Sequence, residues 1–549
     1  MNAFFRTISR STAVAIGSGL VLTTSGTSSL AQRAAPLPAN WQRAGSVWAA
    51  PDQAALKTKP GDALLIGTTG QPYVLATTTN DFALTMDLLT TPGADVQITL
   101  PSGQPIHLGN VRLSKAPGLW QSVEVRYRAT GNRPPMLEKL ALNGVTISEG
   151  QTLSAQRNGV VSLNALNGSV AVRNVVYKPF AAREVVRWSG PIRYVIYEKE
   201  NRSRDEAQQQ KILKQDTTSQ LTYEVAYGGP RHYTILFDGK LNALQGGDYQ
   251  FDLHQGGIAG LWIDGKPVVP VDYHDLGQPT SVRTNLTAGL HDVQVMFTRS
   301  WARPGLGLFV SQDGVRPQAL HTLSSLPEPD PVGVISVKAN ARPELVRSFV
   351  QMPGEKTKRT HSLSVGTPDS YHFTLDLNQM TLLQAWKGDF ADVTEMWYER
   401  GEPQLLRPMG TVVRPPAQPA LAILATDAAV WPDSLADTML QYKGLAVDKA
   451  GYPTIDYALA GATITDAVRP GSDGISRTLT VSGSPGGTVY CRVAAGSSIE
   501  EISKGLYAVN DRSYYVRIDP KAKAKLRQSN GKQELLLPVS GVVRYEVVF

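Results

Sequence analysis

The sequence predicts an all-β protein with several domains. Short runs alternate apolar and polar side chains, as in FALTMDLL (82–89), YHFTLDL (371–377) and RYEVVF (544–549). Alternation with a period of two is typical of strands that place one face in a core. Gly, Asn, Asp and Pro separate these runs throughout the 549 residues, and dense short strands of this kind favour β-sandwiches or barrels.

The clearest strand pattern lies in residues 247–310, where alternating runs are separated by Asp264-Gly265 and by Ala288-Gly289. Asp-Gly between alternating runs predicts a β-hairpin, because both residues tolerate positive φ. Helix signals are few. One lies at 202–215, and the other at 498–505, where Ser498 and Glu501 have the spacing of a capping box.

Proline-rich segments and changes of pattern divide the chain into predicted domains. The predicted divisions are a signal peptide at 1–31, a sandwich at 38–183, a second β-domain at 184–325, a linker at 326–333 and a C-terminal β-rich region at 334–549, with a subdivision near 415.

The first 31 residues have the order of a secretory signal peptide: a basic start, an apolar stretch and Ser29-Leu30-Ala31, which fits the small-x-small pattern of a cleavage site. We therefore expect an exported protein, periplasmic or extracellular, that begins at Gln32. No later apolar run is long enough to span a membrane, so we expect no membrane span.

Charge, cysteine content and motifs exclude several function classes. The formal net charge of +7 is scattered, whereas a nucleic-acid partner requires a contiguous basic stripe. The single cysteine, Cys491, excludes an internal disulfide and a CxxCH haem attachment. No GxSxG, HExxH, GxGxxG or Walker pattern is present, which argues against triad hydrolases, zincins and nucleotide-binding enzymes.

The predicted sandwich carries a recognisable series of strands. The series consists of GDALLIG (61–67), NDFALTMDLLTTPGADVQITL (80–100), APGLWQSVEVRYRA (116–129), LALNGVTI (140–147) and GSVAVRNVVYKPF (168–180). In this order the strings resemble the concanavalin-like sandwich of the 3-keto-disaccharide hydrolase family, also labelled family-16-like. The resemblance implies a sugar-processing domain.

One strand departs from that family, since the position of the family's glutamate holds Pro105. His107, two residues on, lies on the same strand face, and Asp95 in the preceding turn could orient its imidazole or hold a divalent metal ion. We therefore predict His107 and Asp95 as catalytic candidates. Gln97, Gln104 and Trp120 are the predicted ligand-binding residues of this domain. The alternatives are a binding or scaffolding sandwich and, for Trp120, a core position.

The hairpin region resembles the PA14 family, a β-barrel module found beside sugar-processing and adhesion domains. The matching residues are Gly247, Tyr249, Phe251, Leu261, Ile263, Asp264, Gly265, Ala288, Gly289, Leu290, His291, Val293 and Val295. Histidine and carboxylate side chains suit a divalent ion, so His254, Asp272, His274 and Asp275 are candidate metal ligands. The alternative for the last three is a solvated loop.

An aromatic and acidic cluster occupies 384–410. It resembles a region of exported bacterial proteins encoded with sugar dehydrogenases and c-type cytochromes, which implies such partners. Tryptophan can stack on a sugar ring, and Asp and Arg can bind its hydroxyls, so the candidate ligand-binding residues are Trp386, Asp392, Trp397 and Arg400. The alternative is a structural turn with core tryptophans.

Three functions remain open from the sequence. The leading hypothesis is an exported carbohydrate-binding accessory protein with a glycan or sugar derivative as partner. The second is a 3-keto-glycoside hydrolase or lyase that uses the first domain, with a possible divalent metal. The third is a cell-surface structural or assembly protein without a sugar ligand.

Overall fold

A computed structural model describes residues 37–78, 80–109, 111–129, 134–154, 159–181, 183–329, 332–401, 403–426 and 428–549, apart from the side chains of residues 399 and 400. The predicted signal peptide lies outside these residues. The fold is nearly all β and multidomain, as predicted. No helix among the described residues is long and apolar enough to cross a membrane.

Two compact units make up the described chain. One unit contains the described residues within 1–79, 83–177 and 333–549, and the other contains 80–82 and 178–332. The finer divisions given above stay predictions.

The N-terminal region of the first unit has a seven-stranded sheet and a four-stranded sheet, ordered β1-β2-β11-β4-β7-β8-β9 and β3-β10-β5-β6. Alternate residues of both sheets, such as Val125 and Ile98, are fully buried. The strands are β1 (Trp41–Trp48), β2 (Lys57–Thr68), β3 (Tyr73–Thr77), β4 (Phe82–Thr90), β5 (Asp95–Thr99), β6 (Pro105–His107), β7 (Gln121–Arg128), β8 (Met136–Leu142), β9 (Val145–Thr152), β10 (Val160–Asn167) and β11 (Ser169–Pro179).

The second unit is built on a ten-stranded sheet. Its elements are β12 (Val186–Trp188), β13 (Ile192–Glu198), α1 (Arg204–Gln208), β14 (Ile212–Thr218), β15 (Tyr233–Ala243), β16 (Gly247–Ile263), β17 (Lys266–His274), β18 (Thr280–Leu286), β19 (Gly289–Arg299), β20 (Gly305–Ser311) and β21 (Gln318–Ala319), with 3-10 helices at Tyr223–Ala226 and Leu323–Ser325.

The predicted Asp264-Gly265 hairpin is confirmed. Ile263 pairs with Lys266, and the two turn residues have φ values of 50° and 74°. Both values lie in the left-handed region, as a two-residue type I′ turn requires. The predicted helix at 202–215 is wrong for its second half. Helix α1 ends at Gln208, and β14 then pairs with β13.

The C-terminal region has a six-stranded, a four-stranded and an eight-stranded sheet. Its elements are β22 (Ser336–Val337), β23 (Glu344–Val350), β24 (Arg359–Gly366), β25 (Tyr371–Asp376), β26 (Thr381–Asp392), α2 (Thr394–Trp397), β27 (Arg407–Val413), β28 (Leu421–Ile423), β29 (Leu440–Val447), β30 (Pro453–Leu459), β31 (Ala462–Pro470), β32 (Gly474–Ser482), β33 (Val489–Gly496), β34 (Ile499–Ser503), β35 (Leu506–Val509), β36 (Tyr514–Ile518), β37 (Lys525–Ser529), β38 (Lys532–Pro538) and β39 (Val542–Val548), with a 3-10 helix at Tyr398–Gly401.

The second predicted helix, at 498–505, is wrong, because this segment forms β34 and pairs with β35. Cys491 is buried in β33, as expected for a core thiol, and burial raises its pKa to about 12. A raised thiol pKa leaves little thiolate near neutral pH, so this cysteine is a poor nucleophile.

The two regions of the first unit are joined by polar contacts. The Arg112 guanidinium donates to Asp389 Oδ1 at 2.8 Å, and the Thr411 hydroxyl donates to the carbonyl oxygen of Leu113 at 2.5 Å. The buried Arg512 donates to the carbonyl oxygen of Ala49 at 2.7 Å. Since these partners are far apart in sequence, the N-terminal sandwich depends on the C-terminal region for part of its support.

Candidate functional site

Asp95 and His107 meet on the four-stranded sheet. His107 Nδ1 lies 2.9 Å from Asp95 Oδ2, and the Gly109 amide donates to Asp95 Oδ1 at 3.0 Å. A Cβ on Gly109 would lie 2.6 Å from the Asp95 Cα atom, so only glycine allows this approach. The carboxylate is therefore fixed by two contacts, and it orients the exposed imidazole with Nε2 available to a ligand.

Polar side chains continue across the same sheet face. In the ladder, Asn164 of β10 is opposite Gln97 of β5, and Gln97 is opposite His107 of β6. Residues directly opposite each other share a face, so the three side chains form a row. The buried Asn164 Oδ1 has no hydrogen-bond partner among the described residues. The row therefore places the Gln97 amide beside the exposed His107 imidazole, and a polar ligand can contact these two groups, whereas the Asn164 oxygen is closed to solvent.

The other two predicted ligand residues of the sandwich lie elsewhere. Gln104 lies in the turn before β6 and lines a cavity between the two sheets. Trp120 is only 7% exposed, and the guanidinium of Arg173 covers its ring at 4.0 Å from the centroid. Trp120 is therefore a core residue, which was the alternative interpretation, and it offers no open face to a sugar.

The aromatic cluster at 384–410 divides into a buried and an exposed part. Trp386 is fully buried and stacks on Phe390, so the structure corrects its prediction as a sugar platform. Trp397 is 70% exposed and keeps an open ring face. Asp392 Oδ1 accepts a hydrogen bond from the Thr394 amide, the first residue of α2, at 2.8 Å. The side chain of Arg400 lies outside the described residues.

The four candidate metal ligands do not gather into a metal site. Among the described residues, no three His, Cys, Asp or Glu side chains group closely enough to hold a metal ion. His254 packs edge-on against Phe309, and burial lowers its pKa. His274 Nε2 contacts the Thr280 hydroxyl at 3.4 Å.

The two carboxylates of that set are used in local hydrogen bonds. Asp272 Oδ1 accepts from the Tyr273 amide, and Asp275 Oδ1 accepts from the Tyr273 hydroxyl at 2.7 Å. Burial, followed by this hydrogen bond and the charge of Asp275, raises the pKa of Tyr273. Tyr273 therefore stays neutral, and its ring is held in one orientation.

A further aromatic pair was not predicted. Trp301 follows β19 and is 71% exposed, and its ring stacks on Tyr273 with centroids 5.9 Å apart and planes at 18°. Glu200 accepts a hydrogen bond from the Ser300 hydroxyl at 3.1 Å, next to Trp301 in the chain. The only sequence signal was a tryptophan in the loop SWARPG (300–305).

The loop that carries Trp301 depends on a glycine. A Cβ on Gly256 would lie 2.1 Å from the carbonyl oxygen of Arg303, so a larger residue would push the loop away from β16. The same strand positions β17, because the Gln255 side-chain amide donates to the carbonyl oxygen of Asp272 at 2.9 Å. The sequence HQGG (254–257) thus fixes both partners of the aromatic pair.

No family model matches the chain, and no curated protein matches it. Among solved structures, the chain is similar to the PA14 domain of the antifreeze protein MpAFP, with 12% identity, a TM-score of 0.22, and coverage of 26% of this chain and 93% of that one. It is also similar to the epithelial adhesin 9 A domain of Candida glabrata in complex with Galb1-4GlcNAc, with 9% identity, a TM-score of 0.19, and coverage of 26% and 94%.

A third similar structure is the β-glucosidase of Kluyveromyces marxianus in complex with glucose, with 12% identity and a TM-score of 0.19. The match covers 22% of this chain and only 16% of that enzyme. The relation to 3-keto-disaccharide hydrolases stays a prediction, and no support for dehydrogenase or cytochrome partners comes from these matches.

Proposed function

We propose that the protein binds carbohydrate and that the stacked pair of Trp301 and Tyr273 is the binding platform. The observation that carries the proposal is a tryptophan that is 71% exposed yet held by a second ring. Exposed aromatic rings with a fixed orientation offer an apolar face to the C–H groups of a pyranose. Holding the ring in advance reduces the entropy lost on binding.

Polar groups around this pair suit the hydroxyls of a sugar. Asp275 already accepts from the Tyr273 hydroxyl, and its second oxygen can accept from a ligand. Glu200 is close enough to Tyr273 to raise its pKa, after the larger effects of burial and Asp275. The two carboxylates would orient a sugar through its hydroxyls, and the open aromatic face would contact its C–H groups. A largely apolar surface with a few polar groups is the usual composition of a small-ligand site.

Trp301→Ala should weaken glycan binding by roughly thirtyfold, because aromatic anchors of this kind contribute about 2 kcal/mol or more. The melting temperature should change little, since the side chain is 71% exposed. A screen against an array of defined oligosaccharides, followed by calorimetric titration of the best ligand, measures the effect.

Two control variants separate this platform from other exposed apolar residues. Leu323→Ala removes a side chain that is 85% exposed in the same unit and should leave binding unchanged. Trp397→Ala tests the other exposed tryptophan. Loss of binding in Trp397→Ala with full binding in Trp301→Ala would move the site to 384–410.

The broader role follows from this proposal and from the predicted signal peptide. An exported protein with a sugar platform would act as an accessory to enzymes that degrade or oxidise sugars, in the periplasm or outside the cell. A cell-surface assembly role without a sugar ligand is the competing function. If that function is correct, replacing Trp301 or Trp397 by alanine will not change the binding of any glycan.

A second candidate function is catalysis by the Asp95–His107 pair, favoured by the 2.9 Å contact that orients the imidazole. A 3-keto-glycoside has an acidified proton on the carbon beside its ketone. His107 Nε2 would accept that proton, and the electron pair left on the carbon would form a double bond to the anomeric carbon as the glycosidic C–O bond breaks. The imidazolium would then return the proton to the departing oxygen, so the products are an unsaturated 3-keto sugar and the free alcohol. An ordinary glycoside lacks this acidified proton, and Pro105 removes the family's carboxylate.

His107→Ala should reduce turnover of a 3-keto-glucoside by about 10²–10⁴-fold, the usual contribution of a general base. The assay compares paired 3-keto-glucoside and plain glucoside substrates. His361→Ala is the matched control, because the exposed His361 imidazole lies in β24, outside the N-terminal sandwich, and forms a hydrogen bond with the Thr360 hydroxyl rather than with a carboxylate. Turnover of the plain glucoside, or full activity in His107→Ala, would contradict this function.

A further inference from the structure

A half-open cavity of about 230 Å³ lies at the edge of the N-terminal sandwich, between the edge strand β6 and strands β8 and β9. Its walls are mostly aliphatic. The lining residues are Leu100, Gln104, Pro105, Ile106, Leu137, Leu140, Ile147, Ser148, Gln151 and Leu153.

The strand order explains the cavity. The four-stranded sheet ends at β6, which has only three residues, whereas the seven-stranded sheet continues through β8 to β9. Leu137 and Leu140 of β8 are therefore not closed over by a long opposing strand. A well-packed sandwich would fill this space with side chains.

The chemistry of the cavity changes from floor to rim. Leu100, Leu137 and Leu140 are at most 5% exposed and form an apolar floor, while Ile147 at the rim is 38% exposed. Gln104 and Gln151 place amide groups among the lining residues, and the Ser148 hydroxyl donates to Gln151 Oε1 at 3.2 Å. An apolar interior with a few polar groups at its margin is typical of a small-molecule site.

We propose that this cavity binds the alkyl tail of a small amphiphile, with the hydroxyl or ether head against Gln104 and Gln151. A sugar ring does not fit this lining, because its hydroxyls would lose water without gaining partners. A peptide strand does not fit either, since six of the ten lining residues are leucine or isoleucine and the volume is only about 230 Å³. Apolar cavities of comparable size take up apolar molecules.

The test is a calorimetric titration of the full chain with n-alkanols from propanol to octanol. Each added methylene should strengthen binding about fourfold, the equivalent of about 0.8 kcal/mol, until the cavity is full, after which affinity should level off. A flat series would overturn the proposal. The carbohydrate proposal is unaffected by either result, because Trp301 lies in the other unit.

Two variants locate the binding. Ile147→Trp should block the cavity and abolish the chain-length dependence, whereas Val176→Trp, at a position 58% exposed in β11 and outside the lining, should leave it unchanged. Leu140→Ala should enlarge the cavity and move the levelling point to a longer alkanol. An unchanged series in both Ile147→Trp and Leu140→Ala would place the binding elsewhere and overturn the assignment.

Discussion

Replacing Asp466 by alanine should lower the free energy of unfolding of the C-terminal region by about 3–5 kcal/mol, because it leaves the Arg477 charge buried without its counterion. Arg477 and Asp466 are 2% and 1% exposed. Arg477 Nη2 lies 2.6 Å from Asp466 Oδ2, and its Nε lies 2.9 Å from Oδ1. The same guanidinium donates to the carbonyl oxygen of Met380 at 2.9 Å and so joins two sheets.

The chain contains a matched control for this pair. Arg517 Nη1 and Glu546 Oε2 are also 2.6 Å apart, but these side chains are 41% and 38% exposed. Glu546→Ala should therefore cost less than about 1 kcal/mol, since water and salt screen an exposed pair. Denaturant unfolding followed by a probe in the C-terminal region measures both variants. Equal losses would show that burial does not set the strength of the Arg477–Asp466 pair.

A double variant separates charge from packing. Asp466→Leu together with Arg477→Met removes both charges and keeps much of the volume. It should recover most of the stability lost in Asp466→Ala, because a hydrophobic replacement avoids the desolvation of two ions. If the double variant is as unstable as Asp466→Ala, the hydrogen bonds from Arg477 to Met380 and to the Tyr545 hydroxyl at 3.3 Å carry the stability instead.

The sequence predicted the strands correctly, but one of its two helix predictions was wrong for half of the segment and the other was wrong throughout. Alternation of apolar and polar residues is a property of a single strand, so it predicts a strand without knowledge of distant contacts. The hairpin at Asp264-Gly265 is an example. The segment at 498–505 has capping residues, yet Ile499 and Ile502 are buried at 5% and 6% exposure within a strand pair. Tertiary packing outweighed the local helix signal there.

The sequence predicted those parts of the candidate site that depend on the alternation within a single strand. His107 and Pro105 share an exposed face of β6, as period two predicts. The contact of His107 with Asp95 joins β6 to β5, and it was expected because the chain between the two strands is short. The sequence could not predict that Trp120 is covered by Arg173, because that contact joins distant strands. Trp301 was missed because it lies in a loop, where no periodicity distinguishes an exposed ring from a buried one.

Trp386 and Trp397 also show that the sequence pattern cannot distinguish a buried tryptophan from an exposed one. Strand β26 is buried on both faces for most of its length, so alternation does not distinguish an inward from an outward residue. Trp386 belongs to this strand, whereas Trp397 ends the short helix α2. Only the fold separates the two environments.

Trp386→Ala should lower the free energy of unfolding by about 3–5 kcal/mol, the usual loss for a buried large aromatic side chain. Its ring stacks on Phe390 with centroids 5.9 Å apart and packs against His372 at 5.5 Å. Its indole nitrogen donates to the carbonyl oxygen of Phe390 at 2.8 Å. The variant loses this packing and also leaves a buried carbonyl without its donor.

Trp397→Ala is the matched control, because the same side chain is removed at a position that is 70% exposed. Its free energy of unfolding should change by no more than about 0.5 kcal/mol. Thermal and denaturant unfolding of both variants, with glycan binding measured on each folded protein, separates a core role from a platform role. A large loss in Trp397→Ala, or an unchanged stability in Trp386→Ala, would contradict the burial on which both expectations rest, since the two tryptophans differ chiefly in whether their rings are removed from water.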